Sequence, residues 1–138
     1  MSTPQVAVVI DWGGSWARTA VVDRKGNILW RSRNHNPQNG TKEEYLDNAE
    51  RLLTTAIEQT GSSQVVGIGA AVAGPVEPRT GTFHQPPNLK VLDGVSFKSL
   101  WEGKFSLPVW VRNCILYTSD PADEGLGGDI GRTRILNR

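Results

Sequence analysis

The sequence predicts an α/β fold, a mixed sheet flanked by helices. Three observations carry that prediction. Val6 to Ile10 and Val65 to Val72 are short, almost purely aliphatic runs, too short for helices and typical of buried strands lying parallel to one another. After the first of them come two further strand-like runs joined by tight turns, which is the pattern of an antiparallel meander. From Leu46 to Ile57 the apolar residues switch to helical spacing. A chain of 138 residues with 38% hydrophobic content can build one globular domain with a real core.

Taken in order, Val6 to Ile10, Arg18 to Asp23 and Ile28 to Arg33 read as three strands. Gly13-Gly14 turns the chain between the first two, and Arg24-Lys25-Gly26-Asn27 between the second and third. Asn34 to Gly40 is a loop that hands over to a helix at Thr41. There Thr41 and Glu44 form a capping box, each side chain bonding the other residue's backbone N–H. Leu46, Ala49, Leu52, Leu53, Ala56 and Ile57 form the apolar stripe of that helix, which should cover one face of the sheet, and Gly61 can supply a left-handed stop.

Val65 to Val72 contains Gly67 and Gly69, which weaken a strand unless another backbone or a ligand packs closely there. Gly74-Pro75 turns the chain, and Glu77-Pro78-Arg79-Thr80-Gly81 is a second tight turn before Thr82-Phe83. His84 to Leu89 is polar and broken by prolines. Val95 to Phe105 reads as a short helix with Ser96 at its N-cap and Phe97, Leu100, Trp101 and Phe105 on one side. Leu107 to Val111 closes the pattern as a last strand.

Composition excludes several classes of function. The formal net charge is +1 with no long run of either sign, so nothing points to nucleic acid or an anionic membrane surface. The single Cys114 excludes an intramolecular disulfide, the start lacks the features of a signal peptide, and no apolar run approaches a membrane span. A cytoplasmic protein is expected. Asn39-Gly40-Thr41 matches a glycosylation sequon but reads as a turn entering the helix. His35 and His84 are isolated and make no metal site.

The chemistry concentrates in Asp11-Trp12-Gly13-Gly14-Ser15-Trp16-Ala17-Arg18. Glycines let a backbone approach a ligand and turn its N–H groups towards an anion; Ser15 can donate a hydroxyl and Asp11 can hold a hydrated cation. That combination suits the phosphates of a nucleotide and their magnesium, although Gly-Gly between strands is also what a plain hairpin needs. The stretch resembles the first phosphate loop of the superfamily of sugar kinases, actin and heat-shock ATPases. More narrowly, it resembles the Asp-x-Gly-Gly-Thr opening of the ROK family (repressors, open reading frames and kinases), with Ser15 keeping the hydroxyl of the threonine. Gly67-Ile68-Gly69, Ala73-Gly74-Pro75-Val76, Thr80-Gly81, Pro87-Asn88-Leu89 and Leu107-Pro108-Val109 with Val111 and Asn113 follow in the order of that family, so the resemblance runs from about Val6 to Asn113.

The resemblance implies an actin/hexokinase-like (ribonuclease H-like) ATPase lobe, the amino-terminal lobe of an ATP-dependent hexose kinase. It assigns Gly13, Gly14 and Ser15 to ATP phosphates, Asp11 to Mg2+ through water, and Gly74, Asn88 and Asn113 to the sugar. The family places its general base, an aspartate, directly after the asparagine that Asn113 matches, and this sequence has Cys114 there. A thiol with an ordinary pKa of about 8.5 is a poor replacement for a placed carboxylate. From Ile115 onward the alanine-rich helix of the family does not follow; Pro121, Gly125, Gly127, Gly128 and Gly131 would break one. That segment resembles the translated adapter sequence at the ends of some environmental gene fragments.

The expected division is therefore residues 1–113 as the lobe and 114–138 as a non-native or disordered tail on a truncated reading frame, with a genuine glycine-rich tail as the alternative. The second lobe, which would hold the adenine and the zinc motif found in many ROK proteins, lies outside the chain, and the fragment alone is expected to be inactive. The intact parent can form a homodimer, with no nucleic-acid or membrane partner. Two other readings stand beside the kinase. One is the sugar-sensing lobe of a ROK regulator, which would need a helix-turn-helix ahead of the first strand, where only Met1 to Gln5 stand. The other is a sugar-binding fold that has lost its base.

Overall fold

The computed structural model describes residues 3–113. Three strands, β1 (Gln5–Trp12), β2 (Trp16–Asp23) and β3 (Ile28–His35), lead into helix α1 (Lys42–Glu58) and strand β4 (Gln64–Val72). A small hairpin of β5 (Val76–Glu77) and β6 (Thr82–Phe83), a single 3-10 turn at Lys90–Leu92, helix α2 (Phe97–Phe105) and strand β7 (Val109–Asn113) complete it. The large sheet runs β3-β2-β1-β4-β7, with β1, β2 and β3 antiparallel and β1, β4 and β7 parallel. The α/β class, the mixed sheet and the order of the five strands of the large sheet and the two α-helices are those read from the sequence; the small hairpin and the 3-10 turn are additions. Among the described residues no helix is long and apolar enough to cross a membrane.

Strand alternation decides which residues make the core. Val6, Val8, Ile10 and Trp12 of β1 are buried on one face, while Ala7, Val9 and Asp11 point to the other and stay half-exposed. On the buried face Trp12 stacks on Trp101 (ring centroids 5.3 Å apart) and meets Phe83 and Phe97 edge-on. Rings held edge-to-face or offset add roughly 0.5–1.5 kcal/mol per pair to the area they bury. Both helices lie on this face. α1 contributes Ala49, Leu52, Leu53 and Ala56 to the core, and α2 contributes Phe97 and Trp101. Glu50 ties the helices together, accepting from Trp101 Nε1 at 3.1 Å and from Lys104 Nζ at 3.1 Å. No described helix covers the opposite face, where Val66 and Trp110 are exposed.

The capping box forms as expected: Glu44 N–H donates to Thr41 Oγ1 and Thr41 N–H to Glu44 Oε1. Gly61 is left-handed, but it stands beyond the helix, which ends at Glu58 with a right-handed Gln59 as its cap. Of the two glycines in β4, Gly67 has a backbone packed closely, the Pro108 carbonyl 3.0 Å from where a Cβ would stand, together with the indole of Trp110, and Gly69 does not.

Helix α2 corrects three expectations. Ser96 occupies the N-cap position but makes no capping bond; its hydroxyl pairs with Thr82 Oγ1 at 2.6 Å. The helix starts at Phe97 rather than Val95 because Val95 is already bound on both sides, donating to Leu92 O and accepting from Phe83 N–H. Leu100 does not join the apolar side either: it is 47% exposed, since a nine-residue helix turns only Phe97 and Trp101, one turn apart, fully inward. The left-handed Ser106 ends it, and the following strand begins at Val109 rather than Leu107.

Candidate functional site

The predicted site residues converge where the parallel strands end at their carboxyl termini. Trp12 of β1 is in register with Val72 of β4, and Val72 with Asn113 of β7, so three strands finish level. Beyond that line, Ala73 N–H donates to Trp12 O at 2.9 Å, carrying the pairing of β1 and β4 one residue further before the turn at Gly74. Open α/β sheets bind ligands outside the carboxyl ends of their strands for this reason: loops from separate strands meet there.

The loop between β1 and β2 is a hairpin turn closed by Gly13 N–H donating to Trp16 O at 2.9 Å. Gly13 thus shapes the loop, and its own N–H is engaged. Ser15 is exposed at the tip. On one flank lies Asn88: a Cβ added to Gly14 would come within 2.7 Å of the Asn88 Cβ. The Pro86-Pro87-Asn88-Leu89 segment is held there by burial of Pro86 and Leu89, leaving the Asn88 amide exposed. Gly74 is buried against the same segment, with φ +150 and room for no side chain beside the Pro86 ring. Asp11, Gly13, Gly14, Ser15, Gly74, Asn88 and Asn113 are therefore gathered at one end of the sheet. Cys114, where the sequence departs from the expected aspartate, lies outside the described residues, as does the rest of the tail.

Trp12 and Trp16 flank the loop without covering it. Trp12 is fully buried in the aromatic cluster on the helix face. Trp16 lies along the opposite face, stacked on His35 at 3.6 Å with the Arg33 guanidinium 4.3 Å above its ring.

Two features of the site were not singled out from the sequence. Arg18 Nη1 stands 3.7 Å from Asp11 Oδ2, a cross-strand pair set by the register Asp11 to Arg18. Burial raises the Asp11 pKa above its ordinary 3.8, and the Arg18 charge and hydrogen bond only partly offset it. A carboxylate raised by burial gains from any further cation brought near it, although among the described residues no group of three His, Cys, Asp or Glu side chains stands together that could hold a metal ion. The second feature is Asn36, buried just after β3, whose Nδ2 donates to Gly13 O and to Gly14 O at 3.0 Å, while its backbone N–H donates to Ser15 O at 2.8 Å. An asparagine directly before a proline and directly after a strand was the available signal, since Pro37 restricts residue 36 to extended backbone.

Comparison with known proteins then places the fold. A model described as the ROK family matches residues 7–116. The chain belongs to the ROK family. It is 36% identical over 107 residues to a protein of Caldicellulosiruptor sp. (strain Rt8B.4) provisionally named a xylose repressor, covering 75% of this chain and 26% of that one. A ROK family glucokinase from Streptomyces griseus, solved in complex with glucose and AMPPNP, is 28% identical with a TM-score of 0.68, covering 78% of this chain and 33% of that chain. A ROK family transcriptional regulator, a homologue of the E. coli MLC protein, superposes with a TM-score of 0.65 at 19% identity, covering 80% of this chain and 28% of that one, which is a likeness of fold alone. The chain thus spans about a quarter to a third of the length of these proteins. The hexokinase-type fold of ROK sugar kinases and ROK repressors is the fold described above.

Proposed function

We propose that the chain is the amino-terminal lobe, residues 1–113, of a ROK sugar kinase whose whole protein transfers the terminal phosphoryl group of ATP to a hexose hydroxyl. The observation that carries the reading is the convergence of Asp11, the Gly13-Gly14-Ser15 loop, Gly74, Asn88 and Asn113 at the level ends of β1, β4 and β7. In this reading the backbone N–H groups of Gly14 and Ser15 and the Ser15 hydroxyl hold ATP phosphates, on a loop shaped by Gly13. Asp11 holds Mg2+ through water. Mg-ATP, when bound, supplies the activated phosphoryl group and the neutralising charge. The amides of Asn88 and Asn113 can each donate to one sugar hydroxyl and accept from another, and the bare backbone of Gly74 lets the sugar approach. A kinase of this kind works by positioning and charge neutralisation, so what this lobe contributes is orientation.

The general base belongs to the position that Cys114 occupies, and residues 114–138 are read as a non-native tail. The whole protein is read as cytoplasmic and able to form a homodimer, with a hexose as partner and no nucleic acid or membrane. The test is to read the source gene across the codon for residue 114 and to assay the full-length product with Mg-ATP and a panel of hexoses. Aspartate at 114 with phosphoryl transfer is the expected result. A confirmed Cys114 without transfer overturns the kinase and leaves a sugar-binding lobe.

A second reading, the sugar-sensing lobe of a ROK transcriptional regulator, is favoured by the 36% identity to the protein provisionally named a xylose repressor. A helix-turn-helix encoded ahead of Met1 in the source gene, with sugar-dependent DNA binding by the full-length protein, would select it.

A further inference from the structure

We infer that Asn36 is the positioning residue that turns the glycine loop into an anion-binding nest; the inference rests on the phosphate-loop reading of that loop. The side chain of Asn36 is 4% exposed and its Nδ2 donates to the carbonyls of both Gly13 and Gly14, while its backbone N–H holds the carbonyl of Ser15. Three consecutive carbonyls are thus drawn to one side of the loop by one residue. The described peptides are all trans, and in a trans peptide the N–H points opposite to the C=O. Fixing the carbonyls of Gly13 and Gly14 towards Asn36 therefore turns the N–H groups of Gly14 and Ser15 away from it, side by side. Successive N–H groups on one side of a turn are the donor set that receives an anion such as a phosphate.

The orientation of the Asn36 amide follows from its partners. Two carbonyls can only accept, so the nitrogen must face them, which leaves Oδ1 buried and without a partner among the described residues. A buried acceptor left unpaired is unfavourable. A residue kept only to fill space beside the loop would do so better as an apolar group. Its two donor hydrogens are what a side chain of this size supplies and an apolar one does not. Asn88 does not duplicate the role: it meets Gly14 by van der Waals contact on its flank.

The experiment uses the full chain and inorganic tripolyphosphate with Mg2+ as the probe, followed by the backbone amide NMR signals of Gly14 and Ser15. In the wild type these two signals shift on titration, and in Asn36→Ala the apparent affinity falls at least tenfold while signals of β4, β7 and α2 keep their positions. An unchanged affinity in Asn36→Ala overturns the inference and leaves the phosphate loop standing. If the wild-type signals do not respond at all, the phosphate-loop reading fails, and the inference with it. Asn36→Leu, similar in size but uncharged and unable to donate, serves where the alanine variant does not fold and should show the same loss. Independently of any variant, the Asn36 side-chain amide protons of the wild type should exchange with solvent far more slowly than those of exposed Asn39; equal rates overturn the inference.

Discussion

Gly14 and Asn88 touch so closely that the smallest side chain on Gly14 would fall 2.7 Å from the Asn88 Cβ. The loop after β1 and the Pro-Asn-Leu segment are separated by most of the chain, and this contact makes them one surface. Gly14→Ala should destabilise the full chain by about 1–3 kcal/mol, the usual cost of forcing an extra group into packed structure. Urea unfolding of Gly14→Ala, Asn88→Gly and the double variant measures the coupling. The double variant removes the atom that is struck, so the alanine should cost less in the Asn88→Gly background. Additive effects would mean that the loops do not meet.

Gly74→Ala should be at least as damaging. Its φ of +150 is unfavourable for any residue with a Cβ, and that Cβ would meet the buried Pro86 at 2.7 Å. A loss of about 2 kcal/mol is expected, as for other residues held in sparsely populated backbone regions, read as a lower midpoint in thermal unfolding.

The raised pKa of Asp11 has a defined sign in the pH dependence of stability. Below 3.8 the carboxyl is protonated in folded and unfolded chains alike. From there up to the raised folded value the folded chain holds the extra proton, so this group makes stability fall as pH rises through that interval, and the loss stays constant above it. Asp11→Asn removes this dependence. The stability of the variant relative to wild type should improve between pH 3 and pH 7, measured by urea unfolding, and a carbon-detected titration of wild type should place the Asp11 midpoint above 3.8. A relative stability that moves the other way would mean that the Arg18 contact outweighs burial.

Glu50 joins the helices through two different bonds, and two variants separate them. Glu50→Gln keeps an acceptor for Trp101 Nε1 and loses the ion pair with Lys104, which is half-exposed, so about 1 kcal/mol or less should go. Glu50→Ala also strips the buried indole N–H of its partner, which raises the expected loss to about 1.5–3 kcal/mol. Thermal unfolding midpoints should rank wild type, Gln, Ala.

Much of this arrangement was legible because single residues carry local physics. Thr41 and Glu44 announce a helix start through their own side chains, and the aliphatic runs Val6 to Ile10 and Val65 to Val72 already read as buried, parallel strands. Asp11, Gly13, Gly14 and Ser15 stand in one run, so their proximity needed no tertiary knowledge. Ser96 misled because a serine ahead of an apolar run has two competing partners, and Thr82, distant in sequence, provides the better one. Asn36 as part of the site, and the pairing of Arg18 with Asp11, were not legible for the same reason. Their roles exist only once β2 has paired with its neighbours, and pairing register is a property of the sheet rather than of either strand.

The position of β1 at the centre of the sheet has a kinetic consequence. Its antiparallel neighbour arrives within a few residues, through the turn at Gly13-Gly14, but its parallel neighbour β4 pairs Gln5 with Gln64 and β7 follows only after α2. Loop-closure entropy delays such distant pairings, so the meander and α1 are expected to organise first and β4 and β7 to add later. Until they do, one edge of β1 presents its backbone N–H and C=O groups unpaired, on the strand that ends in the glycine loop. The parts of the site are thus assembled in the order of the chain: the Asp11 to Ser15 half is built early on local contacts, and the half that holds Gly74, Asn88 and Asn113 docks onto it last.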